Sequence, residues 1–207
     1  MLTIFGRTNS VNVQKVLWCL AEIGVHYERL DAGLEFGKNT EPWYLALNPN
    51  GKVPLLRDGT FTLWESNTIV RYLASKHGRD GLYPASPEAR ALAERWMDWQ
   101  LSTLVRPVSI VFQNLLRQPP DQRDLGAVAR CTAEANDALA LLDAHLAGQR
   151  YVGGGAFTMG DIPVGAVAHR WLEIPGIDRP PFAALRAWRA RLAERPGFRA
   201  HVILPLS

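Results

Sequence analysis

The pattern of apolar residues changes at a glycine- and proline-rich segment, residues 78–87. Before this segment, short apolar runs typical of strands alternate with apolar residues at helical spacing. After it, helical spacing continues with almost no strand pattern, and the segment itself has the composition of a linker. We therefore predict an α/β domain at residues 1–77, a linker at 78–87 and an all-helical domain at 88–207.

The first domain begins with a strand, a helix and a second strand. Leu2 to Phe5 is a short apolar run, and Val13 to Leu20 carries apolar residues at helical spacing, with Gly24 as the stop signal. Tyr27 to Asp31 can form the next strand. This order predicts a parallel pair of strands joined by a right-handed crossover.

The rest of the first domain is predicted to contain a hairpin and a helix. Val53 to Leu56 is apolar enough for a strand, and Asp58-Gly59 is a hairpin signal from which Thr60 to Trp64 returns antiparallel. The following helix has Ser66 as its predicted N-cap, because a serine side chain can accept a hydrogen bond from the first turn. Residues 1–77 are thus predicted to be βαβ followed by ββα.

Long helices dominate the predictions for the second domain. Residues 88–117 carry a continuous helical pattern, in which Pro107 is expected to produce a kink. A second long helix is predicted from Leu125 to Leu146, after Pro119-Pro120. Shorter helices are predicted near residues 161–173 and 182–194.

Composition and charge exclude several classes of protein. The chain has 23 Lys and Arg residues against 20 acidic residues, a net charge of +3, without a run of basic residues, so nucleic-acid binding is not expected. The small excess can still favour an anionic small molecule locally. No apolar stretch is long enough for a membrane span, and the N-terminal residues lack a secretory signal, so we expect a cytoplasmic protein.

The two cysteines give no sign of metal or dithiol chemistry. Cys19 and Cys131 lie far apart, and the sequence has no Cys-x-x-Cys pair, so we expect neither a zinc site nor a redox pair. Cys19 lies inside an apolar helical stretch, where a buried, unreactive thiol is expected.

Three local segments stand out by their order and spacing along the chain. They are Asn50-Gly51-Lys52-Val53-Pro54, Trp64-Glu65-Ser66-Asn67-Thr68-Ile69 and Thr158-Met159-Gly160-Asp161-Ile162. Together they resemble the cytosolic glutathione transferase superfamily across essentially the whole chain. The resemblance implies a thioredoxin-like N-terminal domain, an all-helical C-terminal domain and a homodimer. It also implies an enzyme of detoxification that conjugates the thiolate of glutathione, as co-substrate and without a metal, to a small electrophile.

The resemblance implies that the first two segments bind glutathione. It implies a cis Val53-Pro54 bond, with the cysteinyl unit of glutathione paired to the Val53 backbone as in an added strand. It places the γ-glutamyl carboxylate at the helix start near Ser66 and the ammonium group beside Glu65. The alternatives are that Pro54 merely starts a strand, and that Ser66 caps a helix beside a solvated acid.

Other residues have weaker or purely structural assignments. Lys52 is a candidate for the glycyl carboxylate of glutathione, and Asn39 lies in a segment where the family often places further glycyl contacts. Thr158 and Asp161 form a variant of the capping box, so Asp161 is expected to stabilise the fold rather than to act in catalysis.

The residues between the first strand and the first helix would stabilise the thiolate. No tyrosine or cysteine is present there, and Ser10 matches the hydroxyl of serine-type, theta-like members. Asn12 matches an asparagine of certain bacterial glutathione disulfide reductases, so Ser10 is our first candidate, Asn12 the second and Thr8 the third. Either serine or asparagine could instead simply cap the helix.

The second-substrate pocket is expected between the first domain and the long helix that follows the linker. Trp99, Arg106 and Phe112 are candidates for its lining, whereas Trp96 is assigned to the core. The identity of the electrophile is left open. Two other functions also remain open: a glutathione-dependent disulfide or peroxide reductase, and a binding or scaffold protein that keeps the fold without catalysis.

Overall fold

In the computed structural model, which describes residues 1–78 and 81–207, four strands form one mixed sheet. The spatial order is β2-β1-β3-β4, so β1 is an inner strand with all four of its residues buried. The strands are β1 (Leu2–Phe5), β2 (Tyr27–Leu30), β3 (Leu55–Asp58) and β4 (Phe61–Trp64).

Two of the strand pairings were predicted, namely the parallel pair of β1 and β2 and the hairpin of β3 and β4, whereas the pairing of β1 with β3 was not. β1 runs parallel to β2 and antiparallel to β3, and β3 forms a hairpin with β4. β3 begins at Leu55, two residues later than predicted, because Pro54 has no N–H group to donate to a ladder.

Three helices accompany the sheet, namely α1 (Val11–Ile23), α2 (Pro42–Leu47) and α3 (Ser66–His77). α1 ends at Gly24, whose left-handed conformation (φ 66°) fits the predicted stop. α2 was not predicted, and neither was a short 3₁₀ helix at Leu34–Phe36. The predicted N-cap of α3 is wrong by one residue: Ser66 is the first helical residue, and Glu65 occupies the cap position.

The remainder of the chain is helical, as predicted. α6 (Leu125–Ala147), α7 (Asp161–Glu173) and α8 (Ala183–Ala193) match the predicted helices closely, whereas α9 (Pro196–His201) was not predicted. The predicted linker includes Arg79 and Asp80, which lie outside the described residues, and α4 (Pro87–Trp99) follows it. The division into domains at residues 1–77 and 88–207 stays a prediction.

A single irregular helix covers the stretch predicted as residues 88–117. α4 is followed by a π-helical segment at Gln100–Leu104, by α5 (Val105–Phe112) and by a second π-helical segment at Gln113–Arg117. Pro107, where a kink was expected, lies in α5, and the first π segment precedes it by about one turn. There the Val105 N–H donates to the Gln100 carbonyl, in the wider pattern of a π helix.

The start of α7 is held by Asp161. Its buried carboxylate accepts hydrogen bonds from the Val152 N–H at 3.0 Å, the Thr158 N–H at 2.9 Å and the Trp188 indole at 3.0 Å. Burial raises the pKa of Asp161 to about 6, although these hydrogen bonds oppose the rise. The contacts agree with the expected folding role of this residue.

Two further expectations concern membranes and thiols. No helix within residues 1–78 and 81–207 is both long enough and apolar enough to cross a membrane. Cys19 and Cys131 are both buried and unbridged, and burial raises the pKa of both thiols. Because a thiol with a raised pKa is rarely ionised at neutral pH, Cys19 has the unreactive character expected of it.

Candidate active site

A groove crosses the surface beside the N-terminus of α1. Its larger part is a cavity of about 570 Å³, and a smaller cavity of about 50 Å³ shares Asn12, Lys52 and Val53 with it and extends to the start of α3. The lining of the larger cavity is Arg7, Ser10, Asn12, Gly33, Leu34, Asn39, Gly51, Lys52, Val53, Gln113 and Arg117. The smaller cavity adds Asn48, Asn50, Pro54, Trp64, Glu65 and Ser66.

The turn before β3 forms one wall of the groove. The Val53-Pro54 peptide bond is cis, as the resemblance implied. The preceding carbonyl, that of Lys52, accepts hydrogen bonds from the Tyr44 hydroxyl and the Asn48 amide, each at 2.7 Å. Among the described residues, the N–H and C=O groups of Val53 form no hydrogen bond, so both are available to a ligand.

The start of α3 closes the small end of the groove. Glu65 has a positive φ of 72°, a conformation that residues other than glycine rarely adopt and that is often found at functional sites. Its side chain is exposed, whereas Ser66 is buried and donates from Oγ to Asn12 Oδ1 at 3.3 Å. The first N–H groups of a helix have no intrahelical partner, so this end can receive an anion.

Two polar side chains at the start of α1 face the groove. Ser10 occupies the N-cap position, but its side chain makes no capping hydrogen bond, and it lines the larger cavity. Asn12 lines both cavities, with its side-chain oxygen held by Ser66. Thr8 is exposed and is not among the lining residues. The structure therefore brings together the first two thiolate candidates and leaves the third outside.

The candidates for the glycyl end of glutathione also lie at the groove. Lys52 is exposed where the two cavities meet, so its amine can reach a ligand from the turn. Asn39 lines the larger cavity, but its amide donates to the Gly51 carbonyl at 2.7 Å. Asn39 therefore both stabilises the turn and lines the cavity.

The predicted second-substrate residues are not brought to the groove. Arg106 is 70% exposed and pairs with Glu134 on α6 at 3.5 Å, so it faces another helix. Trp99 packs edge-to-face against Trp96, with ring centroids 5.0 Å apart, and Phe112 is buried.

Sequence reasoning missed three residues at or near the groove. Gln113 and Arg117 line the larger cavity in place of the predicted residues. Beneath α1, the fully buried amine of Lys15 donates to Asn67 Oδ1 at 3.2 Å and to Gln100 Oε1 at 3.1 Å. Burial lowers the pKa of Lys15 to about 7, although Glu65 opposes the shift. A lysine within an apolar helical stretch was the available signal for this contact.

Comparisons with known proteins agree with this geometry. A family model of the glutathione S-transferase N-terminal domain matches residues 1–75, and one of the C-terminal domain matches residues 126–191. The chain is 43% identical over 209 residues to glutathione S-transferase GstB of Escherichia coli K12, with both chains covered completely. The chain belongs to the glutathione S-transferase family. This family assignment confirms the one made from the three sequence segments.

Other relatives extend the similarity within the family. The chain is 34% identical to glutathione S-transferase 3 of Zea mays, over 97% of this chain and 93% of that protein. A crystal structure of a theta class glutathione S-transferase from Xanthomonas axonopodis pv. citri, with glutathione bound, superposes with a TM-score of 0.96. That structure is 47% identical and covers 100% of this chain, with 99% of its own chain covered. The predicted two-part glutathione transferase fold is therefore confirmed.

Proposed function

We propose that this chain binds glutathione in the groove and transfers its sulfur to the electrophilic carbon of a small acceptor. The observation that carries the proposal is the Ser10 hydroxyl, which lines the groove at the N-terminus of α1 and makes no capping hydrogen bond. A hydroxyl in this position can donate to a thiolate. The named relatives, all glutathione S-transferases, support the same reaction class.

Glutathione would lie along both cavities of the groove. Its γ-glutamyl carboxylate would accept from the free N–H groups at the start of α3, near Ser66, and its ammonium group would lie beside Glu65. Its cysteinyl unit would pair with the free N–H and C=O groups of Val53, in the manner of an added strand. Its glycyl carboxylate would lie near Lys52 and Asn39.

The chemical step requires the thiolate form of glutathione. A free thiol has a pKa of about 8.5 and is mostly protonated at neutral pH. A hydrogen bond donated by Ser10 to the sulfur, together with the N-terminus of α1, would stabilise the thiolate and lower that pKa. The thiol proton leaves to solvent, the sulfur forms a bond to the acceptor carbon, and the leaving group departs with its bonding electrons.

Asn12 is the second candidate donor to the sulfur. Its oxygen is occupied by the Ser66 hydroxyl, so its amide N–H groups are left for a ligand where the two cavities meet. The two donors make separable predictions for mutants, because Ser10 lines the larger cavity only, whereas Asn12 lines both cavities.

Isothermal titration with reduced glutathione tests the binding site. We expect binding by the wild-type protein that weakens in Glu65→Ala and Ser66→Ala. If the wild-type protein does not bind glutathione, the proposal fails, and the non-enzymatic scaffold interpretation takes its place.

Kinetics with chlorodinitrobenzene and with a low-molecular-weight disulfide test the chemistry. We expect Ser10→Ala to lower kcat/KM for the aryl halide by about tenfold to a hundredfold, because one hydrogen bond to a charged sulfur is lost. The apparent pKa of the bound thiol should rise by about 1 to 2 units. Ser102→Ala, an exposed serine on the first π segment, is the matched control. Faster turnover of the disulfide, lost in Asn12→Ala and kept in Ser10→Ala, would instead establish the reductase.

We also propose a cytoplasmic homodimer with a role in detoxification, as the family resemblance implies. Large apolar side chains are exposed on this chain, among them Phe61 at 46%, Leu92 at 42% and Leu101 at 39%, and they could be covered by a second copy. Light scattering that finds a monomer at micromolar concentration would contradict the dimer.

A further inference from the structure

Three guanidinium groups gather at the larger cavity. Arg7 and Arg117 line it, and Arg170 lies next to them. The guanidinium carbons of Arg117 and Arg170 lie 4.9 Å and 4.3 Å from the centroid of the Phe112 ring, which both contact. Arg7 follows β1, Arg117 ends the second π segment and Arg170 lies on α7, so the cluster joins distant parts of the chain.

The cluster has fewer partners than its charge requires. None of the three arginines forms an ion pair with an Asp or Glu side chain of the described residues. Arg170 donates to the Asn9 carbonyl at 3.1 Å and Arg117 to the main-chain oxygen of Ser207 at 2.8 Å. The Nε atoms of Arg7 and Arg170 are buried without a hydrogen-bond partner in the described part of the chain.

The electrostatics agree with an excess of positive charge. Burial, followed by the charges of Arg117 and Arg7, lowers the pKa of Arg170 to about 10. Burial and Arg117 likewise lower the pKa of Arg7, while the carboxylate of Glu35 opposes the shifts of Arg7 and Arg117. Like charges in a partly desolvated site repel one another, and a bound anion would relieve the repulsion.

The loop opposite leaves room for Arg7. Gly33 lines the same cavity with a φ of 89°, and a Cβ atom there would lie 2.9 Å from Arg7 Nη1. A side chain at position 33 would therefore displace the guanidinium. With glycine at this position, the Arg7 guanidinium lies beside the cavity, where Lys52 adds a further positive charge.

We propose that the electrophile accepted by this chain carries a carboxylate, which Arg7 and Arg117 bind while the reactive carbon faces Ser10. The planar fork of a guanidinium matches a carboxylate with two parallel hydrogen bonds, which makes arginine suited to this recognition. The inference rests on the proposed function, since it names the substrate class of the same groove. Arg170 supports the site by its charge from beneath Phe112.

A pair of acceptors with matched rings tests the inference by kinetics. Chlorodinitrobenzoate carries the carboxylate and chlorodinitrobenzene does not, and each rate is divided by the uncatalysed rate with glutathione. We expect the wild-type protein to prefer the benzoate by about tenfold or more in kcat/KM, and a higher salt concentration to reduce the preference. In both reactions the sulfur–carbon bond forms as chloride leaves with its bonding electrons.

Substitutions in the cluster should remove this preference selectively. Arg117→Gln and Arg7→Gln should lower kcat/KM for the benzoate by about tenfold to a hundredfold, with chlorodinitrobenzene little changed. Arg117→Lys should retain part of the preference, because it keeps the charge and loses the fork. Arg130→Gln, an exposed arginine on α6, is the matched control and should change neither rate.

Titration calorimetry separates failure of this inference from failure of the proposed function. Glutathione and the two S-aryl conjugates are titrated into the wild type and Arg117→Gln, so that affinity is measured without turnover. Tighter binding of the carboxylated conjugate, lost in Arg117→Gln, would support the inference even if neither acceptor reacted. Equal affinities for the two conjugates would overturn it. Weaker binding of glutathione itself to Arg117→Gln would also overturn it, because the cluster would then serve the glycyl carboxylate.

Discussion

Replacing Lys15 by methionine tests whether burial lowers the pKa of the Lys15 amine to about 7 in the folded protein. The amine is fully buried and donates to the side-chain oxygens of Asn67 and Gln100. Burial lowers its pKa from the usual 10.5 of a lysine to about 7, with Glu65 opposing the shift. The folded protein therefore binds a proton at this site less tightly than the unfolded chain does.

The sign and size of the effect on stability follow from this difference. Because the unfolded chain holds more protons between the two pKa values, the free energy of unfolding rises with pH through this window. With pKa values of about 7 folded and 10.5 unfolded, Lys15 contributes an increase of about 2 kcal/mol between roughly pH 6 and pH 8.5. Lys15→Met removes the titrating group, so its stability should lack this increase.

Urea unfolding of both proteins across this pH range measures the effect. The difference in unfolding free energy between the wild type and Lys15→Met should change by about 2 kcal/mol, in favour of the wild type at the higher pH. Lys15→Gln should behave like the methionine variant, and Lys38→Met, at a lysine outside this buried network, should follow the wild type. A difference that stays constant with pH would refute the reasoning, since Lys15 would then carry its charge equally in both states.

Two further substitutions test the backbone of the site and the start of α7. Glu65→Gly should leave the free energy of unfolding unchanged or raise it by about 1 kcal/mol, because a residue with positive φ would no longer carry a Cβ atom. Calorimetry should find weaker binding of glutathione to this variant. A clear loss of stability would mean that the conformation is not strained. Asp161→Ala should lower the free energy of unfolding by about 3 kcal/mol or more in urea, because buried donors of Val152, Thr158 and Trp188 lose their acceptor. The exposed Asp137→Ala should change it by less than about 0.5 kcal/mol, and an equal effect of the two would contradict the capping role.

Elements with a local signal were predictable, whereas elements held by distant contacts were not. α1 and the β3–β4 hairpin follow from apolar spacing and from Gly24 and Asp58-Gly59. α2 has only six residues, and it exposes Trp43 while burying Tyr44, which gives no helical stripe to detect. The Tyr44 hydroxyl bonds to the Lys52 carbonyl, so α2 is fixed by tertiary structure.

In the candidate site, too, residues within local motifs were predictable and contacts between distant residues were not. The turn at Val53-Pro54 and the start of α3 lie in continuous motifs, so the sequence alone was enough to single them out. The hydrogen bond between the side chains of Asn12 and Ser66 joins residues 54 positions apart. The hydrogen bond between Lys15 and Gln100 joins residues 85 positions apart. Such contacts depend on how the helices pack, and the periodicity of a single helix carries no information about them.

On the second-substrate side, the residues that line the cavity differ from the predicted ones because the helix there is irregular. In an α helix, residues five positions apart point about 140° away from each other, so Phe112 and Arg117 would not meet. The π segment at Gln113–Arg117 uses wider bonds, which bring residues five apart onto one face, and the Arg117 guanidinium accordingly lies against the Phe112 ring. The first π segment lies between Trp99 and Arg106 and changes in the same way the direction in which later side chains point. Arg106 accordingly points towards α6. The position of Arg117 at the cavity therefore depends on a helix irregularity that a search for a period of about 3.6 residues does not detect.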